Sequence, residues 1–162
     1  MKRIAAVLFV SILFVFSSCS QQNAIETRQV QYRHICDALF NKYQLQIIDT
    51  AFGANFSYHN GATNITGKAA AKAYYTAFFT SFSNGQLEIL EMYEQGDKVI
   101  SRWLFTGFHT SAYQGISATG VRVTVEGVSI ARIAGNLLTE ERVYMNDLAL
   151  LQQIGGVAVI KK

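Results

Sequence analysis

Two places in the C-terminal half of the sequence carry side chains that could exchange a proton with a ligand. His109 ends a run rich in β-branched and aromatic residues, and its unperturbed pKa of about 6.5 suits a general base or a hydrogen-bond donor. Asn146 and Asp147 stand directly before a short apolar run at 148–154. Each has a structural alternative: a hydrogen-bonded histidine at a strand end, a helix N-cap, and a solvated carboxylate in the first helical turn.

Aromatic side chains are the second feature that indicates a binding site. The chain has 11 Phe, 8 Tyr and 1 Trp, which favours an apolar pocket or a thick core. The candidate ligand-binding residues are Tyr58, His59, Tyr75, Phe79, Trp103, Phe105, Arg142 and Tyr144. His59 could instead be an ordinary loop residue. Arg142 could bind a carboxylate or enolate oxygen, or it could form surface ion pairs with strand carboxylates such as Glu140.

The first 20 residues have the pattern of a secretory signal. Lys2 and Arg3 precede an apolar or small-residue run at 4–16, which is shorter than the ~20 residues needed to span a bilayer. Small residues directly before Cys19 resemble a bacterial lipoprotein signal. We therefore expect a lipid on Cys19 and an anchored protein in the bacterial cell envelope, facing the periplasm or the exterior. An ordinary signal peptide cut near Ser18 is the alternative.

The chain length of 162 residues fits a single domain. We divide the chain into a signal peptide at 1–18, a lipidated cysteine and tether at 19–27, a globular domain at 28–156 and a tail at 157–162. Without Lys2 and Arg3, basic and acidic residues nearly balance, which argues against a nucleic-acid partner. Metal-ligand spacing, phosphate-binding loops and dinucleotide-binding turns are missing from the sequence, so we expect neither a metal nor an organic cofactor.

Hydrophobic periodicity predicts mostly helices before residue 85 and strands after it. Helical spacing covers 28–43, 44–52 and 68–82, with a short strand at 56–58 and a loop at 59–67. Two hairpins follow, 86–95 with 98–108 and 121–133 with 137–145, before an apolar helix at 148–154. This order predicts an α+β fold with the helices on one face of an antiparallel sheet.

Several short motifs, in order and nearly without gaps, resemble the SnoaL-like family of polyketide and ester cyclases, within the nuclear-transport-factor-2-like superfamily. Gly96-Asp97-Lys98-Val99 is similar to the family's G-D-x-V hairpin. The stretch from Gly107 to Gly120 is similar to its G-T-H-x-G-x-x-x-G-I-P-x-T-G motif. The pairs Arg132-Ile133 and Glu140-Glu141 are similar to its last two strands, and residues 148–155 to its L-x-L-L-x-Q-L-G ending.

The resemblance implies a cone, in which a strongly curved antiparallel sheet wraps around N-terminal helices and leaves an apolar pocket at the wide end. The family's cyclases use no metal or organic cofactor; an acidic residue in the pocket exchanges a proton with the substrate, and the ring closes through an enolate. Counted back from Gly155 without a gap, the position of that acid reads Asn146. Asp147 could replace it only if the strand end shifts by one residue, which would turn the side chain to the other face.

Three functions therefore stay open. The first is a binding protein that holds a small, largely apolar molecule in the cone, with weak or lost acid–base activity because a neutral amide stands at Asn146. The second is a cofactor-free cyclase-like enzyme that uses His109 and Asp147. The third is a structural domain that forms a homodimer through its sheet.

Overall fold

The computed structural model of the chain describes residues 27–157. The predicted signal peptide, Cys19, nearly all of the tether and most of the short tail lie outside the described residues. Within the described part, no helix combines the length and the hydrophobicity needed to cross a membrane.

Four α-helices and one π-helical turn make up the helical part of the described chain. Their bounds are α1 Arg28–Cys36, the π-turn Asp37–Asn41, α2 Ile47–Ala51, α3 Lys68–Ser81 and α4 Asp147–Gln153. Thr27 begins α1 as its N-cap, because its hydroxyl oxygen accepts a hydrogen bond from the backbone N–H of Val30. The predicted helix at 28–43 is thus α1 continued by the π-turn. The helix predicted at 44–52 is shorter, because Phe52 already begins a strand.

The sheet has six strands: β1 Phe52–Asn60, β2 Thr63–Thr66, β3 Phe82–Gln95, β4 Lys98–His109, β5 Arg122–Ala134 and β6 Leu137–Met145. The spatial order is β2-β1-β6-β5-β4-β3. The two predicted hairpins are confirmed as β3–β4 and β5–β6. The stretch predicted as a loop at 59–67 instead contains β2, which pairs with β1 across a turn at Gly61, a glycine with φ of +55°.

One strand pair departs from the expected antiparallel sheet. β1 and β6 run parallel, whereas the other neighbours are antiparallel. The chain leaves the β1–β2 hairpin through α3 and returns only after three more strands, so β6 lies between β5 and β1. A long crossover of this kind permits parallel pairing, which a short hairpin does not. The α+β fold class is confirmed.

Irregular registers bend the sheet over its helices. The β3–β4 register shifts at Ser83/Gln86 and again at Ile89/Glu91, and the β5–β6 register shifts at Arg132/Ile133. Extra residues of this kind curve a strand and increase its twist. The inner face of the bent sheet packs against α1 and α3 and forms the core, so the open end between helices and sheet becomes the place for a pocket.

Candidate functional site

A cavity of about 60 Å³ lies between the inner face of the sheet and the helices α1 and α3. Its walls are mostly aromatic: Tyr32, Phe40, Tyr58, Tyr74, Tyr75, Phe78, Trp103 and Phe105. Aliphatic side chains and three polar groups, the thiol of Cys36, the hydroxyl of Ser129 and the carboxyl of Glu141, complete the lining. We call this space the cone cavity.

Among the described residues, Glu141 supplies the only carboxyl group in the lining of the cone cavity, and this residue is only 8% exposed. The hydroxyl of Tyr32 donates a hydrogen bond to its Oε1 at 2.5 Å, and the hydroxyl of Tyr75 donates to its Oε2 at 3.3 Å. The hydroxyl of Ser129, which accepts a hydrogen bond from the indole N–H of Trp103 at 2.9 Å, lies close enough to lower the pKa of the carboxyl. Hydrogen bonds from α1 and α3 therefore fix the carboxyl.

A bulge in β6 turns Glu141 towards the helices. Ile133 pairs with Leu138, but the next residue back on β5, Arg132, pairs with Glu140, which leaves Thr139 as an extra residue. Because side chains alternate along a strand, an unbulged β6 would put Leu138 and Glu140 on the inner face. With the extra residue, Glu141 points inward and Glu140 points outward, where it pairs with Arg132 and Arg142.

Burial and hydrogen bonding oppose each other at this carboxyl. Burial raises the pKa of Glu141 above its ordinary value, and the three hydroxyl groups lower the pKa without cancelling the effect of burial. Among the described residues, no Lys, Arg or His forms an ion pair with Glu141. The site therefore holds one acidic group whose ionisation is disfavoured until something compensates its charge.

Gly127 allows the indole of Trp103 to lie against β5. A Cβ atom at position 127 would lie 2.4 Å from the Cζ2 atom of that ring, too close for any side chain. On the opposite wall, the hydroxyls of Tyr58 and Tyr74 lie 3.1 Å apart and share a hydrogen bond. The rings are thus held by backbone contact and by each other, which fixes the shape of the cone cavity.

Four of the predicted ligand-binding residues line the cone cavity: Tyr58, Tyr75, Trp103 and Phe105. Phe79 does not; it packs behind the wall against Phe40 and Tyr43. These positions agree with the sequence pattern, because aromatic residues at strand and helix spacing serve both as core and as lining.

The other three predicted ligand-binding residues lie outside the cone cavity. Arg142 and Tyr144 are exposed, because their positions in β6 alternate with the inward Glu141 and Val143. Arg142 forms an ion pair with Glu140 at 2.6 Å, as the surface alternative predicts. His59 sits in the β1–β2 hairpin, with its Nδ1 2.7 Å from Oδ1 of Asn64.

The three candidate catalytic residues also lie outside the cone cavity. His109 ends β4 as predicted and is fully buried; its Nδ1 lies 3.0 Å from the hydroxyl of Thr119, and its ring packs against Phe82. Asn146 is the exposed N-cap of α4, because its Oδ1 accepts a hydrogen bond from the backbone N–H of Ala149 at 2.9 Å. Their catalytic roles remain predictions that this geometry does not support.

Asp147 lines an open groove on the outside of the sheet, together with Asn146 and Tyr144. Partial burial raises the pKa of its carboxyl. Val143 and Met145 line both this groove and the cone cavity, so the two spaces adjoin through these side chains. Asp147 is therefore near the cone cavity without being part of it.

Sequence reasoning missed Glu141 as a site residue. Every second residue of a strand faces the same side, so counting back two positions from the inward Val143 would have found Glu141. Counting forward two positions from the inward Leu138 selects Glu140 instead. Among the described residues, no cluster of three or more His, Cys, Asp or Glu side chains is arranged to hold a metal ion.

Comparison with known proteins gives a family match. Residues 30–154 match the model of the family "SnoaL-like polyketide cyclase". No match was found among curated proteins.

Solved structures share the fold at low sequence identity. A protein from Jannaschia sp. CCS1 assigned as a SnoaL-like polyketide cyclase is 19% identical, with a TM-score of 0.72 over 85% of this chain and 98% of that one. AclR, a proposed hydroxylase from Streptomyces galilaeus, is 21% identical, with a TM-score of 0.73 over 83% of this chain and 89% of that one. A protein from Catenulispora acidiphila with a ketosteroid isomerase-like fold, solved in complex with trimethylamine, is 19% identical, with a TM-score of 0.67 over 80% of this chain and 95% of that one.

Proposed function

Because the chain belongs to the SnoaL-like polyketide cyclase family, we propose that it binds a small, largely apolar molecule in the cone cavity and that Glu141 is the polar group the ligand meets. The observation that carries this proposal is one buried carboxyl in a cavity with mostly aromatic walls. Such a site offers apolar area for affinity and a single fixed polar group for orientation.

The size of the cone cavity limits the ligand. Its 60 Å³ is about the liquid volume of two water molecules, whereas pockets for drug-sized ligands measure about 300 Å³ or more. A polyketide would need the cone to open widely, whereas a very small molecule or the end of a longer one needs only modest movement of the lining side chains. A ligand of that small size occurs in the similar Catenulispora acidiphila structure with trimethylamine.

Tryptophan fluorescence can test this proposal, since Trp103 is the only tryptophan and lines the cone cavity. We expect small probes such as tert-butanol, acetone and tetramethylammonium to change the emission saturably. Cys36→Met should abolish the response of the folded protein, because a longer side chain at Cys36 fills the cone cavity. Val30→Met, on the exposed side of the same helix, should respond like the natural protein. Saturable binding that survives Cys36→Met would place the ligand elsewhere.

A second candidate function is cofactor-free acid–base catalysis. It is favoured by the raised pKa of Glu141, because a carboxyl that is neutral over a wider pH range can both give and take a proton near neutrality. Asn146 cannot exchange a proton, and its oxygen is engaged in capping α4. We therefore propose that any such activity uses Glu141 rather than His109 or Asp147.

Exchange of α-protons of acetone in D₂O, followed by NMR, tests this second function. General acid–base catalysis contributes about 10²–10⁴-fold, so Glu141→Gln should lower a measurable exchange rate by that factor. Asp147→Asn should leave the rate unchanged. No exchange above the buffer rate would leave binding without catalysis, which is the first proposal. A loss of exchange confined to Asp147→Asn would assign the acid to the outer groove.

A further inference from the structure

We infer that the ligand of the cone cavity is a small alkylated ammonium ion, held by Glu141 as its counterion and by the aromatic rings around it. This inference rests on the proposed binding function and names the chemical class of the ligand. It is carried by the charge, the walls and the size of the cone cavity.

Glu141 has no positively charged partner among the described residues. A buried carboxylate is costly unless it is paired and hydrogen-bonded, and without a partner the group takes up a proton instead. Hydrogen bonds are already in place, since the hydroxyls of Tyr32 and Tyr75 both donate to this carboxyl. A ligand that brings a positive charge would supply the missing partner and allow the carboxyl to ionise. An ammonium ion does so.

The polar atoms of the walls are mostly engaged with one another. Tyr32 and Tyr75 donate to Glu141, and the indole N–H of Trp103 donates to Ser129. The Tyr58–Tyr74 pair shares one hydrogen bond, which leaves at most one hydroxyl hydrogen for a ligand. An anion would meet few donors here and would be repelled by Glu141. Alkyl groups on a cationic nitrogen instead meet ring carbon atoms, and a cation is attracted by aromatic faces.

The size of the cone cavity selects among cations. Its 60 Å³ is about the liquid volume of two water molecules, so among organic cations only a small one, such as a methylated ammonium group, can enter with modest movement of the surrounding side chains. A hydrated metal ion would find a single carboxylate, and the described residues hold no cluster of metal-binding side chains at the site. The mostly apolar walls favour methyl groups over the N–H donors of a bare ammonium.

Matched probes of the same shape test the charge. Tetramethylammonium and tert-butanol are both tetrahedral and similar in size, but only the first is charged. We expect the folded domain to bind tetramethylammonium at least about tenfold more tightly than tert-butanol at neutral pH, by Trp103 fluorescence and calorimetry. Glu141→Gln should reduce this preference to below about threefold. Glu88→Gln, an exposed acid on β3, should keep it.

The outcomes separate this inference from the proposed function. Equal affinities for the two probes in the natural protein would leave binding in the cone cavity intact and overturn the ammonium inference. Binding of neither probe would overturn both. Should Glu141→Gln unfold, Glu141→Asp keeps the charge and should keep the preference; a folded Glu141→Asp protein that prefers tert-butanol would contradict the inference.

The pH dependence gives an independent measurement. Of the titratable groups that line the cone cavity with Glu141, Tyr32, Cys36, Tyr58, Tyr74 and Tyr75 all have pKa values raised by burial, so they stay neutral from acidic to neutral pH. Among these lining groups only Glu141 then titrates in this range, and tetramethylammonium needs its ionised form. Its affinity should fall as the pH falls through the raised pKa of Glu141, while the affinity for tert-butanol stays constant. A flat profile for both probes would count against pairing with Glu141.

Discussion

At Glu141, burial and hydrogen bonding act on one carboxyl group in opposite directions. Burial disfavours the charged form, and the hydroxyls of Tyr32, Tyr75 and Ser129 partly restore it, with burial the larger effect. The carboxyl is therefore held rigidly among aromatic rings, and a charged group bound beside it would change how readily it ionises. This balance at a single residue makes the cone cavity suitable for a polar or charged ligand group.

The first prediction concerns stability and pH at Glu141. The folded-state pKa is raised above an unfolded value of about 4.3. The favourable contribution of the neutral carboxyl is therefore fully present below the unfolded pKa and is lost as the pH rises through the folded pKa. We expect Glu141→Gln to remove this loss, so that its free energy of unfolding falls less than that of the natural protein between about pH 4 and 8. Urea denaturation at a series of pH values measures the difference.

The control for this experiment is Glu88→Gln, which removes an exposed carboxyl on β3 and should keep the natural pH profile. Parallel profiles for Glu141→Gln and the natural protein would show that the pKa of Glu141 is not raised by folding.

Among the elements, α4 is capped at its N-terminus and bonded to the sheet near its C-terminus. Asn146 caps its N-terminus, and the side-chain amide of Gln153 bonds to both the N–H and the C=O of Thr124 at 2.8 and 2.9 Å. The pairing of β5 with β6 ends at Gly127, so the backbone of Thr124 has no β6 partner on that side. The side chain of Gln153 takes the place of the missing strand and forms these backbone hydrogen bonds. Because Leu150 of α4 lines the cone cavity, this short helix forms part of the wall.

The second prediction concerns the N-cap of α4. Asn146→Ala should destabilise the protein by about 1 kcal/mol, because it leaves the N–H of Ala149 without its partner. Asn146→Asp keeps a capping oxygen and adds a charge favoured at a helix N-terminus, so its thermal midpoint should match the natural one. Thermal unfolding of both variants measures this.

Activity of the same variants decides the role of position 146. Neither substitution should create acetone exchange, since Asn146 is exposed and outside the cone cavity. An exchange rate raised by Asn146→Asp would instead support an acid at the position where the family resemblance puts one.

For the whole molecule, the cone cavity lies between the helices and the sheet of the described domain, and we expect the segment before this domain to decide where the protein works. We propose that Cys19 carries a lipid and that the domain faces the periplasm or the exterior of a bacterial cell. A homodimer formed through the sheet also stays a prediction.

The third prediction tests the anchor. Cys19→Ala should move the protein from the membrane fraction to the soluble fraction of the producing cells, because the thiol that would carry the lipid is gone. Cys36→Ser, at the buried thiol of α1, is the matched control and should stay with the membrane. A Cys19→Ala protein that remains in the membrane fraction would contradict the lipoprotein hypothesis.

The sequence by itself determined most of the elements and part of the cavity wall. Helical spacing predicted α1 and α3, glycine turns with strand runs predicted the two hairpins, and the aromatic pattern included Tyr58, Tyr75, Trp103 and Phe105. These features are local, since the spacing of hydrophobic residues, the turn-forming residues and the residue types can each be read from a few neighbouring positions.

Only the tertiary structure decided which carboxyl enters the cone cavity. Glu140 and Glu141 are adjacent, and the bulge at Thr139 turns the second one inward. A shift of one residue reverses every side chain of a strand, so local pattern alone cannot choose between them. The choice depends on pairing with β5 and on Tyr32, which is 109 positions away in the chain and bonds to the carboxyl. The same long-range packing put His109 in the core, outside the cone cavity, whereas the capping bond of Asn146 to Ala149 is local and was one of the alternatives that the sequence offered.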